Sequence, residues 1–190
     1  YWGKGDVRTI EKILGLVLKI SLGVGLLFMT VVLIAPETLM RIYSSDAEVV
    51  AQGVSYLEIV CFSYPLAAVS MAYLYTLRCV EKAHVATIVY LFSLLINIFI
   101  NAFLIFGLCG LPKMGAAGAA VGTLIARVGE VLMALFYDRR KNKIFKLKLS
   151  TFKTDNRLLV KDFFLISGPV VINEFMWGLG NSMSAAILGQ

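Results

Sequence analysis

The sequence predicts an all-α, polytopic bundle of transmembrane helices, and three observations carry that prediction. Of its 190 residues, 59% are apolar and 16% charged, against about 45–50% and about 25% in soluble globular domains. The mean hydropathy is +0.82. Apolar runs of about 20 residues, long enough to cross about 30 Å of hydrocarbon as a helix, follow one another along the chain. A soluble domain is excluded, and so is disorder, which needs a polar, charge-rich chain. The first residues are Tyr1-Trp2 and the last, Gly189-Gln190, directly follow an apolar run, so a piece of a longer protein is expected.

Five spans can be marked off: Ile13 to Ala35, stopped by Pro36; Ala51 to Leu77, with Pro65 inside; Val85 to Leu108; Gly115 to Tyr137; and Phe163 to Leu188, with Pro169 inside. Both internal prolines free a backbone carbonyl and predict bends. Short loops rich in Lys and Arg stay in the cytoplasm. The loop Asp138 to Asp162 carries nine Lys and Arg against three Asp, whereas Pro36 to Val50 carries three acids and only Arg41. The alternation places the basic loop on the cytoplasmic side. In a soluble protein the net charge of +6 would suggest nucleic acid; here a topology signal beside anionic lipid accounts for it, and no nucleic-acid partner is expected. Cys61, Cys79 and Cys109 show no metal-ligand spacing and are read as packing residues. His84 stands alone, with no nucleophile motif or paired carboxylates, so an enzyme is not expected.

Ionisable groups in a span need a partner, a wet cavity or a function. Lys19 is close enough to its helix end to snorkel, and Glu58 lies near the outer face. Arg127 and Glu130 are spaced i, i+3, which permits a local ion pair or a gate at the cytoplasmic mouth. Glu174 follows Gly168-Pro169 and shares one face with Trp177, Gly178 and Asn181. That face should point into a cavity, where the carboxyl group could take up a proton or a cation. Ser93, Asn97 and Asn101 repeat every four residues and so share one helical face, either as interhelical glue or as oxygen ligands for a small cation or substrate. The stretch Gly115-Ala116-Ala117-Gly118-Ala119-Ala120-Val121-Gly122-Thr123 permits close helix approach and brings the Thr123 hydroxyl toward a neighbour.

Together these residues resemble the multidrug and toxic compound extrusion (MATE) transporters. The resemblance covers nearly the whole chain. It rests on Tyr1-Trp2-Gly3-Lys4-Gly5-Asp6, on Asn97-x-x-x-Asn101 followed by Leu104-Ile105-Phe106-Gly107, on Met114-Gly115-Ala116-Ala117-Gly118-Ala119-Ala120 leading to Thr123, and on Gly168-Pro169-x-x-x-Asn173-Glu174-x-x-Trp177. It implies part of a two-lobed, twelve-helix exporter of small organic cations in the bacterial inner (plasma) membrane, driven by an inward flow of Na+ or H+ and needing no other cofactor. On that map the chain looks like helices three to seven, the remaining helices and the lipid bilayer being its partners. Residues 1–137 would belong to the first lobe, 138–162 to the cytoplasmic inter-lobe loop, and 163–190 to the first helix of the second lobe. Asn97, Asn101 and Thr123 fall where sodium-binding relatives have first-lobe ligands, with Asn101 neutral where those relatives carry Asp. Glu174 looks like the ion-coupling acid of the seventh helix. Trp177, Asn173 and Asn181 would contact substrate, and Arg127 with Glu130 would gate. The turn Leu77-Arg78-Cys79-Val80-Glu81-Lys82 lacks the glycine common there in the family. Alternatives at this stage are a lipid-linked saccharide flippase of the same superfamily and an inactive membrane fragment.

Overall fold

The computed structural model describes residues 1–107, 113–142, 144 and 157–188. A short 3-10 turn at Trp2–Lys4 leads into α1 (Val7–Ile34), followed by α2 (Pro36–Arg41), α3 (Ala47–Val60), α4 (Ser63–Cys79), α5 (Ala83–Phe106), α6 (Gly115–Arg140) and α7 (Arg157–Leu188). Every regular element among the described residues is a helix. Of these, α1, α5, α6 and α7 are each long and apolar enough to cross a membrane alone.

Local chemistry sets the ends. Asp6 caps α1 by accepting from the Thr9 amide at 3.1 Å and the Thr9 hydroxyl at 2.6 Å, and these bonds hold its carboxyl below the usual carboxylate range. The helix stops at Ile34 because Pro36 begins α2, as a proline disfavours the helical conformation in the residue before it. Asp46 caps α3, and α5 closes on Gly107 in the left-handed conformation. The glycine-free turn between α4 and α5 has a physical consequence: Glu81 adopts a φ of 64°, a region costing roughly 1–2 kcal/mol for a residue with a Cβ.

Three boundaries differ from the sequence reading. The second span is not one rod, since α3 and α4 meet at Cys61-Phe62 with a bend of 53°; the chain turns four residues ahead of Pro65, which falls in the first turn of α4, where a proline lacks no helix hydrogen bond. Pro169 instead sits inside α7, which is helical on both sides of it. The basic loop is shorter than Asp138 to Asp162, because α6 continues to Arg140 and α7 already begins at Arg157.

The packed body consists of α1 against α4, α5 against α6, and α6 across α3 and α4. Its apolar core joins Leu14 and Leu18 of α1 to Tyr73, Leu74 and Leu77 of α4, with Val80, Val85, Ala86 and Val89 closing it. Gly25 makes the first contact possible: a Cβ there would lie 2.8 Å from Pro65 Cα, which is backbone and cannot move aside. Cys61 is buried as expected. Cys79 is exposed, a correction to its reading as a packing residue; Cys109 lies outside the described residues. Large apolar side chains of α1, α5 and α7 point outward, as expected where hydrocarbon or other helices are the solvent. No other described helix packs substantially on α7.

Candidate functional site

The polar groups at membrane depth gather in the seam between α5 and α6. The four-residue spacing of Ser93, Asn97 and Asn101 turns all three toward α6, and the small residues of α6 allow the approach. Asn101 Nδ2 donates to Asn97 Oδ1 at 3.1 Å, Asn97 Nδ2 donates to Thr123 Oγ1 at 3.3 Å, and the Thr123 hydroxyl donates to the Ala119 carbonyl at 3.0 Å. The chain of donors ends on the Ala119 carbonyl and leaves one acceptor unpaired at its head. Asn101 Oδ1 is buried with no hydrogen-bond partner among the described residues, and it lies against Gly122, where any Cβ would overlap it. A buried orphan acceptor costs about 1–3 kcal/mol; this one is an oxygen of the type that hard cations prefer.

About two turns beyond Thr123 on α6, Glu130 is fully buried. Its Oε1 accepts from the Ser70 hydroxyl of α4 at 2.6 Å, while Oε2 accepts from Ser93 of α5 at 3.2 Å and from Arg127 Nη1 at 2.7 Å. The i, i+3 ion pair read from the sequence is therefore formed. It is also tied to two other helices, and it lies ten residues inside the Arg140 end of α6, roughly 15 Å at 1.5 Å per residue, rather than at the helix mouth. Tyr90, Ser93, Leu94, Asn97, Thr123, Ala126, Arg127 and Glu130 line a cavity of about 270 Å³. Of two larger hollows, a groove of about 670 Å³ between α1 and α4 holds none of the polar candidates at membrane depth, and one of about 700 Å³ at the junction of α1, α2 and α3 holds only Glu58 among them.

The structure does not bring the α7 residues to this seam. Asn173, Glu174, Trp177 and Asn181 are all exposed, and the cavity expected on their face is not formed by the described residues. Glu58 and Lys19 are exposed as well, in keeping with solvated and snorkelled side chains.

Two features escaped sequence reasoning. Ser70 is one of many small polar residues, and its link to Glu130 spans 60 positions. The second is a buried triad at the Arg140 end. The Tyr73 hydroxyl donates to Asp138 Oδ1 at 3.1 Å, and Asn142 Nδ2 contacts both at 3.2 Å. It ties α4 to the start of the segment after α6. The i, i+4 spacing of Asp138 and Asn142 was a visible signal, but the tyrosine that completes the set lies 65 residues earlier.

A bent bundle of long apolar helices with an internal seam of carboxamides and an ion pair is that of a polytopic membrane protein. The family profile described as MatE matches residues 1–103, and the chain belongs to the MATE family. It is 28% identical over 171 residues to the multidrug export protein MepA of Staphylococcus saprophyticus, covering 84% of this chain and 37% of the relative. It is 25% identical over 181 residues to the probable multidrug resistance protein YoeA of Bacillus subtilis, covering 94% and 39%. Among solved structures, the inward-facing conformation of a multidrug resistance MATE family transporter superposes with a TM-score of 0.72 at 19% identity, covering 99% of this chain and 42% of that one. The chain thus spans about two fifths of the length of these relatives.

Proposed function

We propose that this chain is part of a secondary active exporter that expels small organic cations in exchange for Na+ or H+ moving inward. Its family supports multidrug efflux, and its helices are those of a membrane protein. The observation that carries the reading is the polar seam: polar and ionisable groups held at membrane depth mark substrate and ion pathways, and here Asn101 Oδ1 is buried with no partner among the described residues, which interhelical hydrogen bonding alone does not use. In this reading Asn97, Asn101 and Thr123 border the ion or substrate pocket of the first lobe, comprising residues 1–137. Arg127 and Glu130 control access to it, and the basic segment 138–162 connects the lobes on the cytoplasmic side. Glu174 is the coupling carboxylate of the second lobe. Its exposure in α7 supports this assignment, because a carboxylate halfway along a span costs several kcal/mol against lipid and the remaining helices of a transporter of the relatives' length would cover it. Trp177 stacks on the cationic substrate, a contact worth roughly 0.5–2 kcal/mol, and Asn173 and Asn181 flank it. Ion binding would favour one arrangement of the two lobes over the other, moving the site from one side of the membrane to the other.

Efflux-deficient bacterial cells producing the full-length protein are expected to accumulate less of a cationic fluorescent dye than vector controls, and the difference should vanish when the ion gradients are collapsed. Equal accumulation with verified protein in the membrane would contradict the reading.

A further inference from the structure

The chain leaving α6 is held down at its first residues by buried hydrogen bonds, and Asn142 is the centre of them. Its backbone N–H donates to the Tyr137 carbonyl at 2.9 Å and closes the helix, while its side-chain oxygen accepts from the Ile144 amide at 3.1 Å. Its Nδ2 donates to the Tyr73 hydroxyl oxygen of α4 and to Asp138 Oδ1, both at 3.2 Å, and the Tyr73 hydroxyl donates to the same carboxylate. Ile144 then packs on the apolar core. Tyr73, Asp138 and Asn142 are only 2–4% exposed, and helices beyond the described ones can only add to that burial. The acid is the costly member. Asp138 lies in the last turn of α6, where the helix dipole disfavours negative charge, and the neighbouring Arg139 and Arg140 point outward. A neutral side chain would serve the helix better, so the carboxylate is explained by what it holds. Pairing of α4 with α6 does not depend on it, since Ser70 already ties those helices through Glu130. What the triad adds is the hold on the residues that follow α6.

We propose that Tyr73, Asp138 and Asn142 are positioning residues for the rearrangement of the lobes: they anchor the root of the inter-lobe segment to α4, so that the connection between the lobes starts from a fixed point. The inference deepens the export reading and rests on it for the two lobes that move. A buried polar network with its members bonded to one another specifies one arrangement, and this one spans two helices and the chain that leaves them. Released from it, residues 141–144 would add up to about 13 Å of reach to the connection, at 3.3–3.6 Å per extended residue. With that play, ion binding in one lobe would bias the position of the other less, because a coupling is only as large as the difference in free energy it makes between the two arrangements.

The test uses the detergent-solubilised full-length protein and Tyr73→Phe, which keeps the ring in the core and removes only the hydroxyl. Amide hydrogen exchange over residues 141–144 is expected to be about tenfold faster in the variant, the effect of losing a hydrogen bond to a charged group, with exchange in α5 unchanged. The second readout is the distance between spin labels introduced by Lys12→Cys in α1 and Lys161→Cys in α7, both exposed positions, in a background without other reactive cysteines. In the wild type that distance should shift when Na+ is added or the pH is lowered; in Tyr73→Phe the shift should be lost, with the melting profile showing the variant folded. If Tyr73→Phe does not fold, Asn142→Ala, at the helix end, is read in the same way. Unchanged exchange at 141–144, or a wild-type distance shift in the folded variant, would overturn the inference and leave the export reading standing. No shift in the wild type under either ion would count against the export reading itself and remove the role of the anchor with it.

Discussion

Glu174→Gln is expected to abolish gradient-driven export while leaving membrane insertion and melting behaviour unchanged. Gln is nearly isosteric with Glu and keeps an oxygen acceptor, so packing on the face shared with Trp177 and Asn181 should be preserved. It cannot exchange a proton or neutralise a cation. If coupling runs through this carboxyl group, the variant loses the dependence of lobe arrangement on ion binding, and with it the ability to drive substrate uphill. Downhill equilibration of substrate is expected to persist. The check is gradient-driven dye uptake into inverted vesicles at matched protein levels, and wild-type rates in the variant would remove Glu174 from the coupling role.

The second large effect is on stability. Arg127→Gln leaves Glu130 buried with two serine hydroxyls but no countercharge, and breaking a buried ion pair from one side typically costs about 3–5 kcal/mol. The double variant Arg127→Gln/Glu130→Gln removes both charges and should recover most of that loss, since a neutral amide can still pair with Ser70 and Ser93. Ser70→Ala, which deletes one hydrogen bond to a charged group, is expected to cost about 1.5–3 kcal/mol. Melting of the purified protein, followed by helical circular dichroism, ranks the three. A single Arg127 variant as stable as the wild type would show that the pair is not under the constraint that its burial implies.

Most of the architecture was legible because span length and hydrophobicity are properties of continuous segments. The stop at Pro36 and the small-residue approach of α6 to α5 could be read locally, whereas the close of α5 on Gly107 falls one residue short of the span read to Leu108. The shared face of Ser93, Asn97 and Asn101 could also be read locally, since four-residue spacing fixes direction on a helix. The break at Cys61-Phe62 was not legible, because no residue there demands it; Pro65 drew attention to the right turn, but the chain bends ahead of it and uses the proline where its missing amide is harmless. The pairing of Glu130 with Arg127 could be read from i, i+3 spacing, but its tie to Ser70 depends on how α4 crosses α6, which no local pattern encodes. The same holds for Tyr73 with Asp138. For α7 the pattern marks Glu174, Trp177 and Asn181 as one face, and nothing in the sequence says what faces them.

The central claim is that ion movement through this protein drives substrate out. Inverted vesicles containing the full-length protein, given a cationic dye outside and first a lumen-high Na+ gradient and then a lumen-high proton gradient, test it most directly. The account predicts dye movement against its own gradient under at least one of the two, identifying the coupling ion, and none when both are collapsed. Dye movement that is indifferent to both gradients, in vesicles shown to contain folded protein, would contradict it.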